Sequence, residues 1–169
     1  PLMHRQVDAM AMIDAVSRFR PFQWVLHLGD ITAWGGSFSF WQSLYAERHF
    51  TDYMWAGVNG NHDNMTRGFV RTSNDFFRQT NYYPENGYLR EEGVCYHFRY
   101  GEVMFVMLNS EDMRTAEGFE AARSWLEKVV TDARNSAEAP RYVVVCEHYQ
   151  WFDGVNGNDS QYARWRDTF

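Results

Sequence analysis

An α/β fold with parallel strands is predicted for this chain of 169 residues. Segments in which apolar residues recur at helical spacing alternate with short apolar runs, and the runs end at glycine or at polar residues. Helix and strand in alternation are typical of a parallel sheet covered by helices. With 45% hydrophobic and 18% aromatic residues, the chain has enough apolar material for a globular core. We therefore treat residues 1–169 as one domain.

The first part of the chain reads as two helix–strand pairs. Apolar residues in steps of three predict an amphipathic helix over 5–19, and the apolar run 24–28 predicts a buried strand. A second helix is predicted over 40–50 and a second strand over 54–58. This order favours two neighbouring parallel strands.

The rest of the chain reads as a loop, a hairpin, a helix and a strand. Residues 64–93 lack a clean period and predict a long loop with one helical turn near Phe76. Strands over 94–100 and 103–109 flank Gly101-Glu102, a pair suited to a tight hairpin turn. The clearest helical stripe runs from Phe119 to Ala133, and a β-branched strand follows over 141–146.

Charge and composition exclude several classes of partner. The net charge of −6 offers no basic field for a nucleic acid, so a small anionic substrate would need local cations such as metal ions. No apolar run is long enough to span a membrane. Cys95 and Cys146 lie in apolar runs and are interpreted as two buried thiols rather than as a disulfide framework.

Three of the apolar runs are followed directly by polar side chains of the kinds that bind metals. These side chains are those of Asp30, Asn61, His62, Asp63 and His148. Because the carboxyl ends of parallel strands meet at one edge of a sheet, side chains far apart in the sequence could converge there. Carboxylate, amide and imidazole groups are ligands suited to Zn, Fe or Mn.

The same strings resemble the motifs of the calcineurin-like metallophosphoesterases. Gly29-Asp30 looks like the family's Gly-Asp motif, and Gly60-Asn61-His62-Asp63 looks like its Gly-Asn-His-Asp/Glu motif. Val145 with His148 three residues on is similar to the Val-x-x-His motif of the purple acid phosphatase branch, as is the strand pair over 95–109. The resemblance covers nearly the whole chain and implies an α/β/β/α sandwich of two mixed sheets flanked by helices.

Two departures from the family pattern stand out. Neither the Asp-x-His or Asp-x-Gly strand that precedes the first helix nor the Gly-His-x-His motif occurs in this sequence. We interpret the domain as incomplete at both ends, and expect the isolated chain to bind metal weakly and to have little or no activity. Ala33 also occupies the position of the tyrosine in purple acid phosphatases, so no iron–phenolate bond is expected.

The resemblance implies a role for each candidate residue. Asp30 would bridge two divalent or trivalent metal ions, Fe, Zn or Mn, with Asn61 and His148 as further ligands. His62 would not bind metal but would protonate the leaving oxygen, held in place by the carboxylate of Asp63. Six aromatic residues near the motif ends are candidates for a substrate pocket, with Trp34 and Trp151 favoured over Tyr82, Tyr83, Tyr88 and Phe152. Strand alternation points Glu147 away from His148, so we interpret it as structural.

Three functions remain open from the sequence. The first is hydrolysis of a small phosphate monoester or diester by a metal-activated water at a binuclear centre. A different class is a non-catalytic phosphoesterase-like module that binds a ligand or partner through an incomplete metal site. The third is the same fold acting on another substrate, such as a nucleotide or a phospholipid. Secretion or a cell-envelope location is suggested by the resemblance alone, and the oligomeric state is left open.

Overall fold

A computed structural model of the protein describes residues 2–88, 93–150, 163–166 and 168. The chain separates into two compact units, residues 1–83 and residues 84–169. Each unit has one β-sheet in its described part. The predicted α/β fold, with two sheets flanked by helices, is confirmed.

The first unit is a parallel strand pair with its helices. Its elements are α1 (Leu2–Ser17), β1 (Trp24–His27), α2 (Phe38–Tyr45), α3 (Arg48–Thr51), β2 (Met54–Gly57) and α4 (Asp75–Asn81), with a 3₁₀ turn over His62–Asn64. β1 and β2 pair in parallel, with Trp24 opposite Met54 and His27 opposite Gly57. Both strands therefore end at the same edge, and the chain enters a loop after each of them. The parallel pair and its register place those two loops side by side.

One prediction in this unit was wrong in detail, and a second was right in place but too short. The helix predicted over 40–50 is divided between α2 and α3, because the backbone of Glu47 is extended. This break lets Phe50, which is 4% exposed, stack on Trp55 at 4.3 Å between ring centroids. The long predicted loop contains α4, a helix of seven residues whose Phe77 packs edge-on against Trp41. Tertiary packing of aromatic rings accounts for both differences.

The second unit is a mixed sheet with one long helix. Its elements are β3 (Tyr96–Tyr100), β4 (Val103–Met107), α5 (Ala116–Arg134) and β5 (Tyr142–Cys146), with a 3₁₀ turn over Asp112–Arg114. The predicted hairpin is confirmed, and its turn residue Gly101 has the positive φ, 58°, that favours glycine. β5 joins the other side of β4 in parallel. The strand that leads to His148 therefore belongs to a different sheet from β1 and β2, which corrects the prediction that one sheet edge carries all the candidates.

The core of the second unit forms between α5 and the sheet. Thr115 caps the helix, since its hydroxyl accepts a hydrogen bond from the Gly118 N–H at 3.0 Å. The stripe predicted from the sequence is confirmed, because its buried members Phe119, Ala122 and Leu126 pack with side chains of β4 and with Trp165. Cys95 and Cys146 are buried free thiols, as expected. Across the described part of the chain, no helix is both long and apolar enough to cross a membrane.

Candidate functional site

The loop that follows β1 carries Asp30 in an unusual backbone conformation. Gly29 has φ 91° and Asp30 has φ 53°, so the chain turns sharply through two left-handed residues where the strand ends. Few residues other than glycine adopt this conformation, although aspartate tolerates it better than most. The carboxylate oxygen Oδ1 of Asp30 accepts a hydrogen bond from the backbone N–H of His62 at 2.9 Å. The strained turn thus places Asp30 against the second motif, although 32 residues separate the two.

Glycines allow the loops after β1 and β2 to pack backbone against backbone. A Cβ on Gly60 would overlap with the backbone nitrogen and the Oδ1 of Asp30, and a Cβ on Gly35 would overlap with the carbonyl oxygen of Asp63. The Gly35 N–H donates to the His62 carbonyl at 2.8 Å. Trp41, fully buried on α2, donates its indole N–H to the Gly35 carbonyl at 2.8 Å. Gly60 and Gly35 are therefore required because the backbones of the two loops approach each other closely. Trp41 of α2 holds the loop after β1 through its hydrogen bond to Gly35.

A buried carboxylate joins the two loops. Asp63 is 1% exposed, and its Oδ1 accepts hydrogen bonds from the backbone N–H of Thr32 at 2.9 Å and from the Thr32 hydroxyl at 3.4 Å. Its Oδ2 accepts the Gly60 N–H at 2.8 Å. Hydrogen bonds to an ionised acceptor are roughly twice as strong as those between neutral groups. Asp63 therefore holds the relative positions of Asp30 and His62 through the backbone.

The ring of His62 is oriented by a backbone carbonyl. Its Nδ1 lies 2.8 Å from the carbonyl oxygen of Ala33. A carbonyl oxygen can only accept, so Nδ1 carries a proton and donates it to Ala33, and Nε2 is the remaining ring nitrogen. The sequence had predicted that Asp63 would hold this ring. In a 3₁₀ turn successive side chains diverge by about 120°, so the neighbouring Asp63 side chain points elsewhere and reaches Thr32 and Gly60 instead.

One aromatic ring stands beside His62, and a second ring packs on the first. The ring centroid of Trp34 is 4.9 Å from that of His62, and Trp34 meets Phe69 edge-on at 5.0 Å. Trp34, favoured from the sequence as a pocket residue, thus lies next to the candidate proton donor. Tyr83 and Tyr88 instead pack on Phe77 and Trp125, as the simpler structural interpretation predicted. The other favoured residue, Trp151, lies with Phe152 outside the described residues.

His148 follows β5 in the second unit. Its backbone N–H donates to the hydroxyl oxygen of Ser110 at 3.0 Å, and the N–H of Tyr149 donates to the same oxygen at 3.2 Å. The phenol of Tyr149 donates to the carboxylate of Glu111. Burial raises the pKa of Glu147 to about 8, which makes this carboxyl mostly neutral at pH 7. The predicted meeting of His148 with Asp30 and Asn61 stays a prediction.

Several residues around the site were missed from the sequence. Ser110 and Glu111 lie three and four residues after the end of β4, so the rule that singled out polar residues near strand ends would have found them had it been applied to that strand. Thr32 and Ala33 had no comparable signal, because Ala33 acts through its carbonyl oxygen and the shorter hydrogen bond of Thr32 comes from its backbone N–H. A backbone donor or acceptor leaves no trace in residue type.

The candidate ligand residues are of the chemical types that bind metal ions. The first unit alone supplies too few of them to complete a metal site. Among the described residues, no group of three or more histidine, cysteine, aspartate or glutamate side chains is placed to hold a metal. Asp30 and the half-buried amide of Asn61 lie at the two strand ends of the first unit. An ionised carboxylate offers about four acceptor positions, and the His62 N–H uses one of those on Asp30. Carboxylate and amide oxygens with an imidazole suit Zn, Fe or Mn.

Comparison with known proteins gives one result that covers both units. The family model described as calcineurin-like phosphoesterase matches residues 3–167. No curated protein matches the chain.

Proposed function

This chain belongs to the calcineurin-like phosphoesterase family, and on that premise we propose that it hydrolyses small phosphate monoesters or diesters at a binuclear metal centre. The family supports metal-dependent phosphoester hydrolysis in general. The observation that carries the specific proposal is the 2.9 Å hydrogen bond from the His62 N–H to Asp30. It brings a candidate metal ligand and a candidate proton donor together at one sheet edge.

Asp30, Asn61 and His148 are the residues that would hold the ions. Bound metal ions would supply Lewis acidity, making a water acidic enough to attack phosphorus and neutralising charge on the phosphoryl group. Asp30 would hold metal through its carboxylate, which its turn and the missing side chain of Gly60 fix in place. We propose that the two units together form one catalytic domain, because the family match extends over both.

His62 is the proposed general acid. As the water oxygen bonds to phosphorus, the bond from phosphorus to the leaving oxygen breaks, and the Nε2 of protonated His62 gives its proton to that oxygen. One proton of the attacking water is released to solvent, from which His62 is protonated again after each turnover. The Ala33 carbonyl accepts from Nδ1 throughout, so the ring cannot turn away from the reacting group. Asp63 is a positioning residue, because it acts on His62 through the loop backbones rather than through the ring.

We propose that the chain is most similar to the purple acid phosphatase branch, although it lacks the tyrosine of that branch at position 33. Ala33 has no phenol to bind iron, and its contribution is the carbonyl oxygen that holds His62. A colourless Zn or Mn form is therefore as well accommodated as an iron form. The net charge of −6 favours a small ester over a nucleic acid.

Metal reconstitution tests this function. The full-length protein is purified, stripped with a chelator, reloaded with Zn, Mn or Fe, and assayed with p-nitrophenyl phosphate and bis(p-nitrophenyl) phosphate. We expect turnover that depends on added metal and disappears in Asp30→Ala, while Asp52→Ala, a surface carboxylate paired with Arg48, retains it. Metal binding measured by calorimetry without turnover of any ester would instead support the non-catalytic binding module.

A further inference from the structure

Phe69 occupies a position that packing alone does not explain. Its side chain is 72% exposed, although burial would stabilise so large an apolar group. Its backbone has φ 60°, a left-handed conformation that is strained for a bulky residue. Strain of this kind persists where surrounding structure enforces it and is concentrated at ligand sites. Both features are unfavourable for folding, so a functional role would explain why Phe69 is held in this position.

The loop that presents Phe69 is closed by its own hydrogen bonds. Met65 and Arg71 form an antiparallel bridge at its base, and the Thr66 N–H donates to the Val70 carbonyl at 2.9 Å. The Phe69 N–H donates to the Thr66 carbonyl, also at 2.9 Å. At the base, the Thr72 N–H donates to the Asn64 carbonyl, at the end of the 3₁₀ turn that contains His62, at 2.7 Å. The exposed ring is thus held by an ordered loop tied directly to the candidate catalytic turn.

Trp34 connects this ring to His62. It lies 4.9 Å from His62 and 5.0 Å from Phe69, and its plane is 88° from that of Phe69. Two rings at a right angle form a corner in which a third ring can stack on one and meet the other edge-on, the two geometries that aromatic pairs prefer. The loop also carries the exposed Arg67 and Arg71 and no acidic residue, which favours the approach of an anion to an otherwise acidic chain.

We propose that Trp34 and Phe69 form an aromatic corner that receives the leaving group, and that the preferred substrates are phosphate esters whose alcohol carries an aromatic ring. This inference rests on the proposed function, in which His62 faces the leaving oxygen. The group attached to that oxygen must lie close to His62, and the Trp34 ring is in contact with the His62 ring at 4.9 Å between centroids. An aromatic group there would cover the exposed face of Phe69.

The test compares benzyl phosphate with methyl phosphate, whose leaving alkoxides are of comparable basicity. The ratio of their kcat/KM values therefore reports the ring rather than the chemistry of bond breaking. We expect the metal-loaded protein to prefer benzyl phosphate, and Trp34→Ala and Phe69→Ala each to lower that ratio about 3- to 10-fold, the scale of one aromatic contact. Trp34→Phe should restore most of the preference. Phe19→Ala, which removes a ring that is 91% exposed at the end of α1, should keep the wild-type ratio.

A binding measurement separates failure of this inference from failure of the proposed function. Benzylphosphonate and methylphosphonate are titrated into the Zn-loaded protein while the indole N–H signals are followed by NMR, with the Trp34 signal assigned from Trp34→Phe. Tighter binding of benzylphosphonate with a shift at Trp34, lost in Phe69→Ala, supports the corner even if no ester is turned over. Turnover of both esters with a ratio unchanged in Trp34→Ala and Phe69→Ala would overturn the corner and leave the hydrolase standing. Equal binding of the two phosphonates would also overturn it.

Discussion

Asp63 in the first unit and Ser110 in the second have similar tasks and different chemistry. Each is buried, at 1% and 3% exposure, and each accepts two backbone N–H groups next to a candidate site residue. Asp63 joins two loops through Thr32 and Gly60, whereas Ser110 holds the turn after β5 through His148 and Tyr149.

The difference lies in the charge of the acceptor. The bonds from backbone N–H groups to the Asp63 carboxylate are 2.8 and 2.9 Å long, and those to the Ser110 hydroxyl are 3.0 and 3.2 Å long. A buried carboxylate needs its donors, because an unpaired buried charge is strongly destabilising. The first unit therefore fixes Asp30 and His62 by a charged connection, and the second fixes the backbone at His148 by a weaker neutral one. Asp30→Ala and His62→Ala test the residues that the charged connection holds, and the smaller effects of Asp63→Ala and Ser110→Ala test the contrast between the two connections.

Asp30→Ala should abolish both metal binding and turnover. It removes a proposed metal ligand and the acceptor of the His62 N–H in a single change. Metal content after dialysis and ester hydrolysis are measured on the same preparation, with Asp52→Ala as the surface control. If Asp30→Ala retained a full complement of metal, the site would have to be built without this residue.

His62→Ala should keep the metals and lower turnover by about 10²-fold or more, the usual scale for loss of a positioned proton donor. The side chain is held by Ala33 and is proposed to face the leaving group rather than a metal. Metal analysis next to kcat separates the two roles. A loss of metal as complete as in Asp30→Ala would make His62 a ligand.

Asp63→Ala should lower the free energy of unfolding by about 3 kcal/mol, since it leaves the N–H groups of Thr32 and Gly60 without their charged acceptor. Because the loops then lose their connection, turnover should fall as well. Urea unfolding at constant metal concentration gives the stability, and His62→Ala serves as the comparison in which turnover falls without this loss. A change below about 1 kcal/mol would show that the two loops are held mainly by other contacts.

Ser110→Ala should lower the free energy of unfolding by only about 1 kcal/mol, the typical net value of neutral hydrogen bonds. The same urea experiment measures it, and Ser136→Ala on the exposed surface is the matched control. A loss as large as that of Asp63→Ala would mean that burial, rather than the charge of the acceptor, sets the strength of these connections.

The elements that followed from local patterns were predicted well. β1, β2, the β3–β4 hairpin, α5 and β5 all lie within a few residues of their predicted ranges. Apolar periodicity and flanking glycines are properties of short stretches, so they can be recognised in the sequence alone. The break between α2 and α3 and the assignment of β5 to the second sheet could not be recognised in this way. Both depend on partners outside the segment itself, Trp55 of the following strand in one case and β4 in the other.

The candidate site also has a part that could be predicted from local sequence and a part that could not. The strings Gly29-Asp30 and Gly60-Asn61-His62-Asp63 contain the side chains that carry the proposed chemistry, and residue type was enough to recognise them. The hydrogen bonds that hold these side chains could not be predicted from the sequence. Ala33 holds His62 through a backbone carbonyl, and Asp63 accepts from Thr32, which is 31 residues away. Every residue has a backbone N–H or C=O that looks the same in a sequence. Which of these groups meets which side chain is set by the path of the two loops, and that path exists only in the folded chain.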